Sequence, residues 1–199
     1  MKISLIITTF NWPESLLLVL ESVRGQTLIP DEIIIADDGS DRKTKNLILS
    51  FKKQFDLNII HSWQKDNGFR AARSRNRAIM KSTGDYIILI DGDIVLHKNF
   101  VRDHVFCAET GYFVQGNRVL LSQKKTSEAI IKKNIKYSFI SSGLKNRKNS
   151  IRSKLLFLLF SNNKNHLKGI KSCNMAFFKK DCININGFNN DFEGWGRED

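Results

Sequence analysis

An apolar run that ends in two closely spaced acids constrains this 199-residue chain more than any other feature. Residues 84–93 read Gly-Asp-Tyr-Ile-Ile-Leu-Ile-Asp-Gly-Asp. A continuous run of strand-forming residues between polar ones is typical of a strand buried on both faces in a parallel sheet. Asp91 and Asp93 follow at its carboxyl end, where open α/β sheets bind ligands and two carboxylates can share a hard divalent cation. A strand followed by an ordinary polar turn explains the same residues, because Asp-Gly is also common turn chemistry.

Apolar runs alternate with helical patterns along the first half of the chain. This alternation predicts a parallel sheet with crossover helices. The predicted fold class is therefore α/β, with a Rossmann-like, mostly parallel central sheet flanked by helices. The predicted strands cover residues 3–8, 33–36, 59–61, 84–90, 111–121 and 169–178, and the predicted helices follow residue 11 and cover about 43–55, 71–80 and 100–108. The first helix is expected to bury Leu16, Leu17, Leu20 and Val23.

A second acidic cluster, Asp37-Asp38-Gly39-Ser40, directly follows the second predicted strand. It is therefore expected at the same edge of the sheet as Asp91 and Asp93. The next helix, by contrast, is rich in arginine. A row of charges is usually a solvated helix face, which is one interpretation of this pattern. The other is that Arg70 or Arg73 faces a diphosphate, because the planar guanidinium binds two phosphate oxygens at once.

The chain is strongly basic, with 32 Lys and Arg against 20 Asp and Glu. Its net charge of +12 favours anionic partners such as nucleotide phosphates, anionic lipid headgroups or nucleic acid. The excess is concentrated between residues 118 and 171. Within that region, residues 153–160 read Ser-Lys-Leu-Leu-Phe-Leu-Leu-Phe, which suits either peripheral contact with an anionic membrane or an ordinary core helix.

The cysteines and the amino terminus bear on the compartment. Cys107, Cys173 and Cys182 are odd in number and lack close-paired spacing, which predicts neither a disulfide framework nor a zinc site. The first apolar run is short and is expected to be a strand, not a signal peptide. No run reaches the roughly 20 apolar residues of a spanning helix. The expected location is cytoplasmic, with peripheral contact at the inner membrane face.

Four motifs in this order and spacing resemble the family 2 glycosyltransferases, which are inverting enzymes with the GT-A fold. They are Thr8-Thr9-Phe10-Asn11, the Asp37–Ser40 cluster, residues 67–76 and Asp91-Gly92-Asp93. Residues 187–199 are also similar to the acceptor-side motif of β-1,4-galactosyltransferases and related bacterial galactosyl- and N-acetylhexosaminyltransferases. The resemblance implies one GT-A domain over residues 1–199, with a nucleotide-binding half (1–117), a basic insertion (about 118–168) and an acceptor-side segment (169–199).

The resemblance implies transfer of a hexose or N-acetylhexosamine from a UDP-sugar to a glycan or lipid-linked acceptor. The pathway would be cell-surface polysaccharide or lipopolysaccharide synthesis. Asp93, with Asp91, is expected to hold Mn²⁺ or Mg²⁺. The nucleotide-binding residues implied are Thr8, Thr9, Asn11, Asp38, Gly68, Arg70, Arg73, Asp91 and Gly92, with Asp38 near the base.

The same resemblance makes Asp199 the general base and lets Glu198 bind the acceptor, although the reverse assignment stays open. Trp195 is expected to stack on a sugar ring, and a plain core aromatic is the alternative. Gly194 and Gly196 would allow its loop to close over the donor. Asn174 is expected to line the acceptor side. The four histidines show no metal spacing and receive no role.

Two other functions have some basis in the sequence. The sequence ends at Asp199, whereas members of the family continue beyond this acidic pair. A catalytically incomplete nucleotide-sugar-binding subunit, or a truncated fragment, is therefore the alternative expectation. Nucleic-acid binding is not expected, because no recognition helix, stacking-sheet motif or zinc module is present and the acidic pairs would repel phosphates.

Overall fold

The computed structural model describes residues 1–153, 155, 157, 159 and 170–194. The strands are β1 (Ile3–Thr9), β2 (Glu32–Asp37), β3 (Ile59–Trp63), β4 (Tyr86–Asp91), β5 (Val114–Gln115), β6 (Leu120–Leu121), β7 (Leu144–Lys145) and β8 (Asn174–Phe178). The α-helices are α1 (Pro13–Arg24), α2 (Arg42–Gln54), α3 (Ala71–Lys81), α4 (Phe100–Phe106), α5 (Gln123–Lys132) and α6 (Lys179–Asn184). A 3₁₀ helix covers Arg147–Ser150.

Six of these strands form the central sheet, in the order β3-β2-β1-β4-β8-β5. Strands β1 to β4 are parallel, and β8 runs antiparallel to both β4 and β5. The predicted α/β class with a mostly parallel sheet is therefore confirmed. The chain runs outward from β1 to β3 and then returns to place β4 on the other side of β1. The direction of strand order thus reverses between β1 and β4, which is where open α/β sheets bind ligands.

Helices cover both faces of the sheet. One face buries side chains of α1, α2 and α4 against the odd-numbered residues of β1 and β2, such as Leu5 and Ile33. The other face buries α3 and α6 against the alternate residues, such as Ile6 and Ile34. Isoleucine dominates the inner strands because its β-branched side chain suits a pleated sheet covered on both sides.

The buried face of α1 is wider than predicted. Leu18 and Val19 are buried, whereas Leu17 is only partly buried. Helix α1 packs against the sheet and also contacts α2 and α5, so more than one stripe of its surface leaves water. A helix with several packing partners buries more than the single stripe that a simple amphipathic pattern predicts.

The predicted strands differ from the observed ones in their limits. The region 111–121 contains two short strands, because β5 pairs with β8 while β6 leaves the sheet and pairs with β7. The predicted strand 169–178 begins only at Asn174, and β3 continues to Trp63. Within the residues that the structure describes, Cys107, Cys173 and Cys182 form no disulfide bond. Part of the apolar segment 153–160 lies outside the described residues.

A buried carboxylate joins the amino-terminal ends of three strands. Glu32 accepts hydrogen bonds from the Ser4 hydroxyl at 2.6 Å, the Thr83 amide at 2.6 Å and the Thr83 hydroxyl at 2.9 Å, and from the Gly84 amide at 3.2 Å. Burial raises the pKa of Glu32, but these hydrogen bonds outweigh it and lower the pKa below its ordinary value of 4.5. The charged form is therefore stabilised by folding.

Glu32→Gln is expected to lower the free energy of unfolding by about 2 kcal/mol at neutral pH, because charge-assisted hydrogen bonds are lost. Since the folded pKa lies below 4.5, this contribution is present above that pH and is lost as the pH falls through the lowered pKa. The difference between wild type and variant in urea denaturation should therefore shrink in acid. A difference that stays constant down to acid pH would contradict this role for Glu32.

Candidate active site

A cleft of about 470 Å³ opens at the carboxyl ends of β1 and β4. It lies at the point where the strand order reverses. Its walls combine threonine, aromatic, acidic and basic side chains from six stretches of the chain. The lining residues are Thr8, Thr9, Phe10, Trp12, Asp38, Phe69, Ala71, Arg75, Asp91, Gly92, Asp93, Arg118, Ile170, Lys171, Ser172 and Cys173.

Strand pairing places the first acid of the Asp91-Gly92-Asp93 motif. Thr8 of β1 is the register partner of Asp91 of β4. The Gly92 amide donates to the Thr8 carbonyl at 2.7 Å, and the Ile94 amide donates to the Asp91 carbonyl at 3.2 Å. These bonds turn the chain immediately after β4. Asp91 is consequently partly buried at the floor of the cleft, whereas Asp93 is exposed at its rim.

Arg75 supplies positive charge beneath this pair. Its side chain is only 4% exposed, and its Nη2 lies 3.4 Å from Asp91 Oδ1. Its Nε lies 3.4 Å from the Thr8 hydroxyl, and its guanidinium carbon is 5.7 Å from the centre of the Phe188 ring. The arginine therefore contacts β1, β4 and the acceptor-side segment at once. A guanidinium held in this way is directed at the cleft floor and not at solvent.

The electrostatics of the cleft favour a bound cation. Burial raises the pKa of Asp91, the Arg75 guanidinium lowers it, and the neighbouring Asp93 carboxylate raises it again. The two carboxylates offer the hard oxygen ligands that Mg²⁺, Mn²⁺ or Ca²⁺ prefer, so the residues fit a divalent cation. In the part of the chain that is described, no group of three or more His, Cys, Asp or Glu could hold a metal. Asp91 and Asp93 would fill only part of the coordination shell of such a cation, which leaves positions for other ligands, phosphate and water among them.

Asp38 forms the opposite wall. Its Oδ2 accepts from the Arg70 amide at 2.7 Å, and its Oδ1 accepts from Gln64 Nε2 at 2.5 Å. Burial raises the pKa of Asp38, while the Arg70 amide and the Gln64 side chain counteract this effect. The preceding Asp37 is fully buried and accepts from the Ser40 amide, and it contacts His61 at 2.7 Å. The acidic turn is thus held in one shape from both sides.

Close backbone contact also holds this wall. Gly39 has a φ of +104°, and a Cβ there would lie 2.5 Å from the Asp66 Cα. A larger residue would push the two loops apart. Asn11 ties a third loop to them, because its amide donates to the Ser40 hydroxyl at 2.9 Å and its Oδ1 accepts from the Asp41 amide at 2.8 Å. The side chain of Asn11 is therefore engaged in a loop contact and does not line the cleft.

The predicted nucleotide-binding residues divide into two groups. Thr8, Thr9, Asp38, Asp91 and Gly92 line the cleft together with the predicted metal ligand Asp93. The others lie outside its walls: Asn11 makes the loop contact, Gly68 is in an exposed turn with a φ of +79°, Arg70 contributes its amide to Asp38, and Arg73 is exposed on the outer side of α3.

Helix rotation explains why Arg75 faces the cleft and Arg73 does not. Side chains two positions apart on an α-helix are rotated by about 200° about its axis, so they point to nearly opposite sides. The buried positions Ala71, Ala78 and Ile79 lie three or four residues from Arg75 and define the face that contacts the sheet. The choice of Arg73 rested on its place in a motif. The helical spacing of the alanines was the signal that would have selected Arg75.

Comparison with known sequences settles the family. The sequence model of Glycosyl transferase family 2 matches residues 4–184, which contain every described residue of the cleft. The chain belongs to glycosyltransferase family 2. The expected family assignment is therefore confirmed, whereas the similarity of residues 187–199 to β-1,4-galactosyltransferases remains an expectation.

Individual relatives of this family 2 glycosyltransferase are larger proteins. The hyaluronan synthase of Pasteurella multocida is 35% identical over 104 residues, which are 52% of this chain and 10% of the synthase. The mannosyltransferase PcManGT from Pyrobaculum calidifontis, in complex with GDP-Man and Mn²⁺, superimposes with a TM-score of 0.62 at 15% identity, over 100% of this chain and 49% of that one. S. aureus TarS in complex with UDP superimposes with a TM-score of 0.61 at 15% identity, over 100% of this chain and 53% of that one. At these identities the two structures establish the fold.

The segment 187–194 is clamped by a residue that sequence reasoning missed. Asn76 Nδ2 donates to the Phe188 carbonyl at 2.7 Å and to Asn190 Oδ1 at 2.8 Å, and Asn76 Oδ1 accepts from the Phe188 amide at 3.0 Å. Further on, the Gly194 amide donates to the carbonyl of Phe69, a cleft residue, at 3.0 Å. The chain therefore reaches the rim of the cleft at Gly194.

The remaining acceptor-side predictions have different outcomes. Asn174 is buried with its side chain directed at α4, where its Oδ1 lies 3.0 Å from His104 Nε2, so it does not line the cleft. Burial lowers the pKa of His104 to about 4, which keeps this ring neutral. Trp195, Gly196, Glu198 and Asp199 lie outside the described residues.

Within the described part of the chain, no helix is long and apolar enough to cross a membrane.

Proposed function

We propose that this chain is a metal-dependent, inverting glycosyltransferase that uses a UDP-sugar donor. It transfers a hexose or N-acetylhexosamine to a glycan or lipid-linked saccharide in the synthesis of cell-surface polysaccharide or lipopolysaccharide. The observation that carries the proposal is the convergence of Thr8, Asp38, Asp91 and Asp93 on one cleft at the strand-order reversal. That is where a doubly wound sheet binds nucleotides.

The cleft suits a nucleotide-sugar in size and polarity. Its volume of about 470 Å³ lies within the range of small-molecule and cofactor sites. Thr9 and Asp38 are assigned to the uridine, with the exposed rings of Phe10 and Trp12 beside them. The UDP complex of TarS supports the choice of uridine. The GDP-Man complex of PcManGT makes a guanosine donor the alternative to be tested.

The diphosphate is assigned to the carboxylate pair and the cations around it. Asp91 and Asp93 would hold Mn²⁺ or Mg²⁺, and the bound cation would stabilise the negative charge that develops on the departing diphosphate. Arg118 and Lys171 line the same cleft and add positive charge. Arg75 acts as a positioning residue, because it contacts the carboxylate of Asp91 from below.

Asp199 is assigned as the general base. An inverting transfer needs one base that removes the proton from the acceptor hydroxyl while its oxygen bonds to the anomeric carbon and the bond to diphosphate breaks. Glu198 is assigned to the acceptor sugar, and Trp195 and Gly196 to the loop that contacts it. The hydrogen bond from Gly194 to Phe69 supports these assignments, since it brings the chain to the cleft one residue before Trp195.

Calorimetric titration with UDP should detect binding that Mn²⁺ strengthens. Asp93→Ala is expected to weaken UDP binding in Mn²⁺ by about 10- to 100-fold, because one of two carboxylate ligands is removed. Asp56→Ala, in an exposed loop before β3, is the matched control and should bind as wild type does. Equal UDP affinity of wild type and Asp93→Ala in Mn²⁺ would show that the metal assignment is wrong, and a preference for GDP would reassign the donor.

The same titration compares two arginines of α3. Arg75→Lys should weaken UDP binding by about tenfold, since lysine cannot contact Thr8 and Asp91 together with a planar fork. Arg73→Lys should leave the affinity unchanged, because that side chain is exposed outside the cleft. A larger loss of UDP affinity in Arg73→Lys than in Arg75→Lys would assign the diphosphate to Arg73, the residue that the sequence motif favours.

Asp199→Asn should lower turnover by about 10²- to 10⁴-fold while leaving UDP affinity intact, as expected for loss of a general base. Turnover is measured as UDP released from a UDP-sugar with a panel of saccharide acceptors. Asp191→Asn, an exposed acid in the same segment, is the matched control. Unchanged turnover in Asp199→Asn would move the role to Glu198, and UDP binding without any turnover by the wild-type chain would favour a nucleotide-sugar-binding subunit.

A further inference from the structure

The basic insertion carries an apolar surface whose chemistry is unrelated to the cleft. Its described part, residues 118–153, contains α5, the β6–β7 pair and the 3₁₀ helix. Leu120 and Leu121 pair with Lys145 and Leu144 across the two strands. Helix α5 contacts α1 and buries Ala129. The insertion is thus a folded unit attached to the face of the protein that carries α1.

Large apolar side chains of this unit lie in water. Ile131 in the last turn of α5 is 81% exposed, and Ile140 in the following loop is 85% exposed. Phe139, beside Ile140, is 52% exposed. Each such side chain gains about 1.5–3 kcal/mol when it moves from water into an apolar environment. This apolar area is therefore available for burial against a partner.

The backbone holds the two loop residues in this exposed position. The Ser141 amide donates to the Ser138 carbonyl at 3.0 Å, and the Ser138 amide donates to the Ser141 hydroxyl at 2.9 Å. Arg147 Nη1 donates to the Phe139 carbonyl at 3.0 Å. These three bonds close a tight turn with Phe139 and Ile140 at its tip. A structured turn loses little conformational entropy when its tip enters another phase.

The charge of the insertion is almost entirely of one sign. Residues 118–153 contain ten Lys and Arg but a single acid, Glu128, so they account for nine of the chain's twelve net positive charges. Glu128 pairs with Lys125 at 3.1 Å. Six further lysines make no ion pair within the described part of the chain. These are Lys124, Lys132, Lys133, Lys136, Lys145 and Lys148, and all six are exposed.

We propose that this insertion surface docks on an anionic lipid bilayer. Ile131, Phe139 and Ile140 enter the boundary between headgroups and acyl chains, and the surrounding lysines contact the lipid phosphates. Exposed apolar residues within a dense positive field match the two attractions that a bilayer offers, apolar burial and headgroup charge. The inference does not depend on the proposed transfer reaction, since neither the three apolar residues nor the unpaired lysines line the cleft.

The chain contains a natural control surface. Arg73, Arg77 and Lys81 form a basic row on α3, with the exposed Met80 beside it. Helix α3 covers the face of the sheet opposite to α1. Binding through general positive charge would involve both basic surfaces, whereas docking through the insertion would not involve α3.

Co-sedimentation of the full chain with vesicles tests the proposal. Wild type should bind vesicles of equal parts phosphatidylglycerol and phosphatidylcholine, bind pure phosphatidylcholine weakly, and lose affinity as salt is raised. Ile140→Ser should weaken binding to the anionic vesicles by about tenfold. Lys132→Ala should weaken it by about fivefold. All measurements are made without donor or metal, so they are independent of the glycosyltransferase assignment.

Matched controls use the opposite face. Ile185→Ser changes an isoleucine that is 74% exposed after α6, and Lys81→Ala removes a cation from α3. Both controls should bind as wild type does, and thermal denaturation should show all four variants to be folded. No binding of wild type to the anionic vesicles at low salt would overturn the proposal. Equal losses of vesicle affinity in Ile140→Ser and Ile185→Ser, or in Lys132→Ala and Lys81→Ala, would also overturn it.

Discussion

The pairing of Thr8 with Asp91 across β1 and β4 is the contact on which the site depends. These two strands are neighbours only because the chain crosses back from β3 to the other side of β1. The reversal opens a cleft at their carboxyl ends, since the loops that follow the strands leave in opposite directions. A shift of one residue in this register would turn Asp91 away from the cleft. The buried isoleucines of both strands oppose such a shift.

The walls of the cleft are built from hydrogen bonds between loops that lie far apart in sequence. Asp38 is bound by the Arg70 amide and by Gln64, and Asn76 binds the acceptor-side segment more than a hundred residues later. Most of these contacts use side chains that never face the cleft. Their common effect is to preorganise the cleft, so that little ordering remains to be done when a ligand binds.

Much of the fold was predictable from sequence, because strands covered on both faces appear as unbroken isoleucine-rich runs. The acids at the ends of β2 and β4 were also predictable, because the apolar run of each strand stops abruptly at an acidic residue. Arg75 was missed because a motif was weighed above helical spacing. Asn76 and Gln64 could not have been found, since nothing local distinguishes them. The direction of the Asn174 side chain depends on its register opposite Ile90 of β4, which the residues of β8 do not reveal.

Paramagnetic broadening by Mn²⁺ tests most directly whether the cleft at the β1–β4 junction holds the metal and the nucleotide. The backbone amides of the chain are observed by NMR with UDP, before and after Mn²⁺ is added. The account predicts selective loss of the signals of Thr9, Gly92 and Asp93, while those of Lys2 and Asp85 at the opposite ends of the same strands persist. Broadening centred elsewhere, or none at all in a folded sample that binds UDP, would contradict it.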